Sequence, residues 1–145
     1  MTRPHTLRLL VLVCFGIAAS GCDSGPQIVP VQGKVLFRDK PLEFGSVMFQ
    51  PVEGGQPARG VIQPDGTFSL TTNSPGDGAT VGPNLVRITS FTAQRPGAEG
   101  AATERELDMG QSLIPLKYNS FQTSELEVEV LPDDNEPFVI ELEDD

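Results

Sequence analysis

Most side chains in this chain that could do chemistry are carboxylates. Glu125, Glu127 and Glu129 alternate along one stretch, Asp133, Asp134 and Glu136 crowd the turn that follows, and Glu141 and Glu143 come next. Alternate positions on a strand share a face, so such a set could offer oxygens to a hard cation, which wants about six to eight of them. No loop with EF-hand spacing and its turn glycine is present. Glu125, Glu127, Glu129, Asp133 and Asp134 therefore stand as candidate weak cation-binding residues. The competing reading is a solvated acidic face whose like charges cost a little stability. Nucleophilic chemistry has less to work with. The only His is His5, and the only cysteines are Cys14 and Cys22. Beyond Cys22 the chain has neither imidazole nor thiol, which excludes Ser-His-Asp, Cys-His and His-metal sites there. We expect no enzyme activity and no cofactor. A divergent hydrolase is the remote alternative. Sugar stacking would have to use Tyr118 or Phe44, because there is no Trp. A Lys34–Asn135 isopeptide bond would need Lys34 buried, and the local alternation turns it outward.

Cys22 has its own chemistry. Arg3 and Arg8 precede an apolar run of 11 residues, 9–19, too short to span a bilayer and suited to a signal-peptide core. Ala19, Ser20 and Gly21 then lead to Cys22. Small residues let the backbone enter a peptidase cleft, and the thiol is the nucleophile that can take a lipid. Ala-Ser-Gly-Cys resembles the lipobox of bacterial lipoproteins, whose commonest residue at the Ala19 position is Leu. The resemblance implies cleavage between Gly21 and Cys22, a diacylglycerol thioether on Cys22 and acylation of the new amino group. One acyl chain holds a protein only marginally, at about 0.8 kcal/mol per buried methylene, so stable anchoring needs more than one. On this reading 1–21 is a lipoprotein signal peptide and 22–27 is a lipidated tether that reaches at most about 20 Å. The expected address is the cell envelope: membrane-anchored and extracytoplasmic, with the lipid bilayer as one partner. Cys14 leaves with the signal and Cys22 carries lipid, so no thiol remains for a disulfide.

The rest of the composition fits a turn-rich β domain. The 145 residues include 15 Gly and 13 Pro, and apolar residues make up 38%, too few for a polytopic membrane protein. The formal charge is −10, and removal of 1–21 takes away two basic residues and no acidic ones, leaving −12. That balance argues against nucleic acid and against electrostatic docking on anionic lipid.

Period-two alternation recurs from residue 28 onward. Val29, Val31, Gly33, Val35 and Phe37 share one face of a first strand. Val47 and Phe49 mark a second, ending at Pro51; 58–63 is a third, and Pro64-Asp65-Gly66 turns into a fourth carrying Phe68 and Leu70. Residues 73–83 read as a loop, and Val86 and Ile88 mark a fifth strand. Residues 93–111 read as a long loop with a helical turn over 103–107, and 112–121 is apolar enough to pack on the domain. Leu126, Val128 and Val130 alternate with the glutamates, and Phe138, Ile140 and Leu142 complete a last strand. Seven short, half-buried strands predict an all-β, single antiparallel sandwich over 28–143, with Phe37, Phe49, Phe68, Phe91, Phe121 and Phe138 in its core.

The order of motifs carries a resemblance. Val31-Gln-Gly-Lys-Val-Leu-Phe, Lys40-Pro41-Leu42, Val47-Met-Phe-Gln-Pro51, Gly60 and Asp65-Gly66-Thr67-Phe68-Ser69-Leu70 resemble the carboxypeptidase-regulatory-like, or transthyretin-like, domain. Asp77-Gly78-Ala79, Ile114 to Asn119 and Thr123 to Leu126 extend the likeness to small planctomycete lipoproteins that carry this module. Asp39 stands where that family places Gly in its first turn, and Asp tolerates positive φ better than most residues. Gly82-Pro83-Asn84 stands where the family carries Gly-x-Tyr-x-Val, with Leu85 the nearest apolar replacement for the aromatic. The resemblance implies a transthyretin-like or Ig-like sandwich and a location, with no general catalytic set. The expected task is a structural or interaction module in the cell envelope, its protein partner unspecified. A ligand-binding module for a cation or an envelope glycan is the alternative.

Overall fold

The structure is a computed structural model that describes residues 25–97, 110–133 and 135–144. The expected signal peptide, Gly21, Cys22, Asp134 and the 98–109 part of the long loop lie outside the described residues. The fold is all-β. In chain order its strands are β1 (Ile28–Val29), β2 (Gln32–Phe37), β3 (Lys40–Pro41), β4 (Gly45–Pro51), β5 (Ala58–Ile62), β6 (Thr67–Ser69), β7 (Ala79–Thr80), β8 (Gly82–Thr89), β9 (Leu126–Val130) and β10 (Phe138–Leu142). Among the described residues, no helix is long and apolar enough to cross a membrane.

Two sheets face each other across one core. In the first, β2 is central: β10 runs along one side, and β3 and β6 share the other, at opposite ends of β2. The second has the order β5-β4-β8-β9 and is antiparallel throughout. The β5–β6 hairpin links the sheets at one edge. Arg59 and Thr71 exchange backbone hydrogen bonds of 2.8 Å, and the Gln63 carbonyl accepts from Gly66 at 2.8 Å at the tight turn. The core is where alternation placed it. Val35, Phe68, Ile140 and Leu142 meet Val47, Phe49, Val86, Ile88 and Val130. The Phe49 ring meets those of Phe68 and Phe138 edge-on, at centroid distances of 6.2 and 5.9 Å, the arrangement that ring quadrupoles favour.

Gly33 makes that meeting possible. It pairs with Phe68 on one side and Phe138 on the other, and a Cβ there would lie 2.5 Å from both the Phe68 ring and the Phe138 carbonyl. The bare backbone of Gly33 thus leaves room for the Phe68 ring and for the close approach of the Phe138 carbonyl.

Several expectations need correction. The first strand is interrupted at Pro30, which has no ladder donor, and its first residues pair instead with β7. The stretch read as a loop, 73–83, therefore contains β7 and the start of β8. Its early part is a loop held by Asp77, whose carboxylate accepts from the backbone N–H groups of Thr72, Asn73 and Ser74 at 2.7 to 2.9 Å. The last strand, β10, runs parallel to β2, because the chain leaves β9 in one sheet and crosses to the other before pairing. Phe91 and Phe121 lie outside the core cluster; Phe121 sits beneath the Arg87 guanidinium instead, at 5.2 Å. Leu85 faces outward. Asn84 takes the buried position, its amide donating to the Thr80 and Gly82 carbonyls at 2.9 and 2.8 Å. It forms a polar brace for the β7–β8 turn.

Candidate functional site

The outer faces of the two sheets, joined at the β5–β6 hairpin, form an open groove of about 1230 Å³. Sheet register explains its lining. Arg59 on β5 and Arg87 on β8 both stand directly opposite Met48 on β4, one on each side. Their Cα atoms are two strand spacings apart, about 10 Å. Arg87 is held in place: its Nη2 and Nε donate to the Met48 sulfur at 2.9 and 3.2 Å, and its guanidinium lies over Phe121. Arg59 is exposed. One step along the strands, Val61 stands opposite Ser46, and Ser46 opposite Thr89; the Ser46 and Thr89 hydroxyls share a hydrogen bond of 2.7 Å. On the first sheet, Lys34 pairs with Thr67 and Val139, and Gln32 with Ser69.

The groove is electrostatically unlike the rest of the chain. Lys34, Arg59 and Arg87 line it, and none of its lining residues is a carboxylate, although the whole chain carries 20 acidic residues against 10 Lys and Arg. Among the described residues the only ion pair shown lies elsewhere: Arg38 with Asp144 at 2.8 Å, tying the end of the chain to the β2–β3 turn. Asp65 lies close by, at the hairpin tip two residues before the lining residue Thr67. Hydrogen bonds from the Thr67 hydroxyl and backbone hold its carboxyl below the usual range, and the Lys34 charge adds to this. The floor is apolar, with Val61 69% and Val139 63% exposed. The groove lining contains neither His nor Cys.

The residues singled out from sequence are placed differently. Glu125, Glu127 and Glu129 are exposed on or beside β9. Glu127 and Glu129 recur at alternate positions of the strand, about 6.6 Å apart. Asp133 is exposed beyond them. Among the described residues no group of three or more His, Cys, Asp or Glu gathers as a metal site. Tyr118 is buried at the end of a 3-10 turn over Leu116–Asn119; its hydroxyl accepts from the Glu143 N–H at 2.9 Å and donates to the Glu143 carbonyl at 3.3 Å. It anchors the apolar 112–121 segment as expected, and it is not displayed for a sugar. Asn135 bonds both backbone groups of Leu131, away from Lys34.

Sequence reasoning missed the groove. Its cations come from β2, β5 and β8, and only the register aligns them. Outward phase was readable for each strand; the row they form was not. Comparisons add nothing to this geometry: no family model, curated protein or solved structure matches the chain.

Proposed function

We propose that this protein is an extracytoplasmic lipoprotein, anchored in a membrane through lipidated Cys22, whose transthyretin-like sandwich is a non-catalytic binding module of the cell envelope. The observation that carries the reading is the short distance between the anchor and the fold. Folded structure begins at β1, only six residues after Cys22, and the Gln27 carbonyl already accepts from the Val81 N–H at 2.9 Å. A tether of that length holds the body against the bilayer. The hydroxyl- and guanidinium-lined groove supports a binding role, and the lack of imidazole and thiol beyond Cys22 supports a non-catalytic one. The test is intact mass and detergent partitioning of the wild-type protein against Cys22→Ser. We expect the wild type to lack 1–21, to carry the added mass of lipid and to partition with membranes. The variant should do neither of the last two. Equal masses and equal partitioning would refute the anchor.

A further inference from the structure

We infer that the outer groove binds a carboxylate-bearing polysaccharide, with Arg59 and Arg87 as the two anion-recognising residues. This deepens the binding role proposed above by naming the ligand class. Three observations carry it. First, the two guanidinium groups stand in one cross-strand row on either side of Met48. A planar guanidinium matches a carboxylate with two parallel hydrogen bonds. The row is about 10 Å long between Cα atoms, long enough to span more than one sugar of a single chain. Second, no carboxylate lines the groove, and neither arginine has an ion-pair partner among the described residues. In a chain this acidic, two guanidinium groups without an ion-pair partner among the described residues, beside a Lys34 whose charge is shared with Asp65, form a local attraction for an anion against a repelling background. Third, the cations are interleaved with Ser46, Thr67, Ser69 and Thr71, side chains that can exchange hydrogen bonds with sugar hydroxyls.

The same lining discriminates against other anions. A single-stranded nucleic acid would want aromatic platforms for its bases, and Phe68 is buried while Phe138 packs against the core. A peptide strand pairs best with a sheet edge, whose backbone groups are open. The groove runs mostly across sheet faces, where the ladders of β2, β4 and β8 are already paired on both sides, and β10 is the edge strand at its border. A neutral glycan would also want an aromatic platform; a charged one is held by the guanidinium groups over the apolar floor of Val61, Val139 and Pro137.

The test is retention of the full-length protein, purified in detergent, on immobilised polygalacturonate, neutral dextran and poly-glutamate at low ionic strength. We expect retention on polygalacturonate alone, reversed by salt. Arg59→Gln, a change at an exposed side chain, should weaken it roughly three- to tenfold, and Arg59→Gln with Arg87→Gln should abolish it. Lys40→Gln with Arg95→Gln removes the same charge outside the groove and should leave retention unchanged. Thermal melting of each variant confirms that it is folded, and Arg59→Gln alone decides the matter if the Arg87 change unfolds the protein. Absence of wild-type retention, equal loss in both double variants or equal retention on poly-glutamate would overturn the assignment. Unlipidated Cys22→Ser protein should bind as the wild type does. Failure of the anchor would therefore leave this result standing, and failure of the groove would leave the anchor standing.

Discussion

At the scale of single residues, the β2–β3 turn shows how a local compromise was met. Arg38 and Asp39 both have positive φ, 53° and 60°. That is the two-residue hairpin turn whose twist matches the flanking strands, and it prefers glycine at its second position. Asp39 satisfies it because a short polar side chain tolerates the left-handed region. Arg38 is held by two-pronged hydrogen bonding to Asp144, with Nε to Oδ2 at 2.9 Å and Nη2 to Oδ1 at 2.8 Å. The tolerance still carries a cost. Asp39→Gly should stabilise the fold by about 0.5 kcal/mol, the left-handed penalty less the extra freedom of glycine in the unfolded chain. The readout is the denaturation midpoint, with the slope unchanged. A lower midpoint would mean that the Asp39 side chain makes a contribution of its own.

At the scale of elements, alternation in the sequence identified which residues face inward on β2, β4, β6, β8, β9 and β10, because a strand's two faces differ in what they bury; for β5 it gave the strand without its faces. It could not identify partners. Nothing in Phe138-Val139-Ile140-Glu141-Leu142 says that this strand lies parallel to β2; that follows from where the chain crosses between sheets. Two-residue strands such as β1 and β7 are too short to show a period. The groove shared this fate, since Arg59 and Arg87 are 28 positions apart and meet only through β4. The β10–β2 contact can be tested at Gly33, where the Phe68 ring and the Phe138 carbonyl flank a backbone with no side chain. Gly33→Ala should destabilise the protein by about 2–3 kcal/mol, as overpacking between a ring and a fixed carbonyl does. Hydrogen exchange should show the loss concentrated in β10 and β6. Uniform loss of protection, with β10 no worse than β4, would mean that Gly33 is not what lets the last strand close the sheet.

At the scale of the whole molecule, acid stability sets two trends against each other. The formal charge of −10 means that protonating carboxylates relieves self-repulsion and favours the fold. Against this, Asp77, Asp65 and Asp144 all have carboxyl groups held below the ordinary range: Asp77 chiefly by the Thr72 backbone N–H, Asp65 by the Thr67 hydroxyl and Asp144 by Arg38. A carboxyl depressed in the folded state contributes stability that is present above its unfolded pKa, about 3.9, and is lost as pH falls through its folded value. The raised Arg38 is the other side of the Asp144 pair, so its contribution is present at neutral pH and is lost together with that of Asp144 as the carboxyl is protonated. Melting temperature should therefore vary little from pH 8 to 5 and fall below about pH 4. Asp77→Asn separates the two trends, because an amide keeps an acceptor for the 72–77 loop but has no charge to lose. At neutral pH the variant should melt below the wild type; the gap should narrow as pH drops beneath about 4, where the wild-type carboxyl is itself being protonated. A gap that stays constant with pH would show that the shape of the Asp77 side chain, rather than its charge, holds the loop against β7.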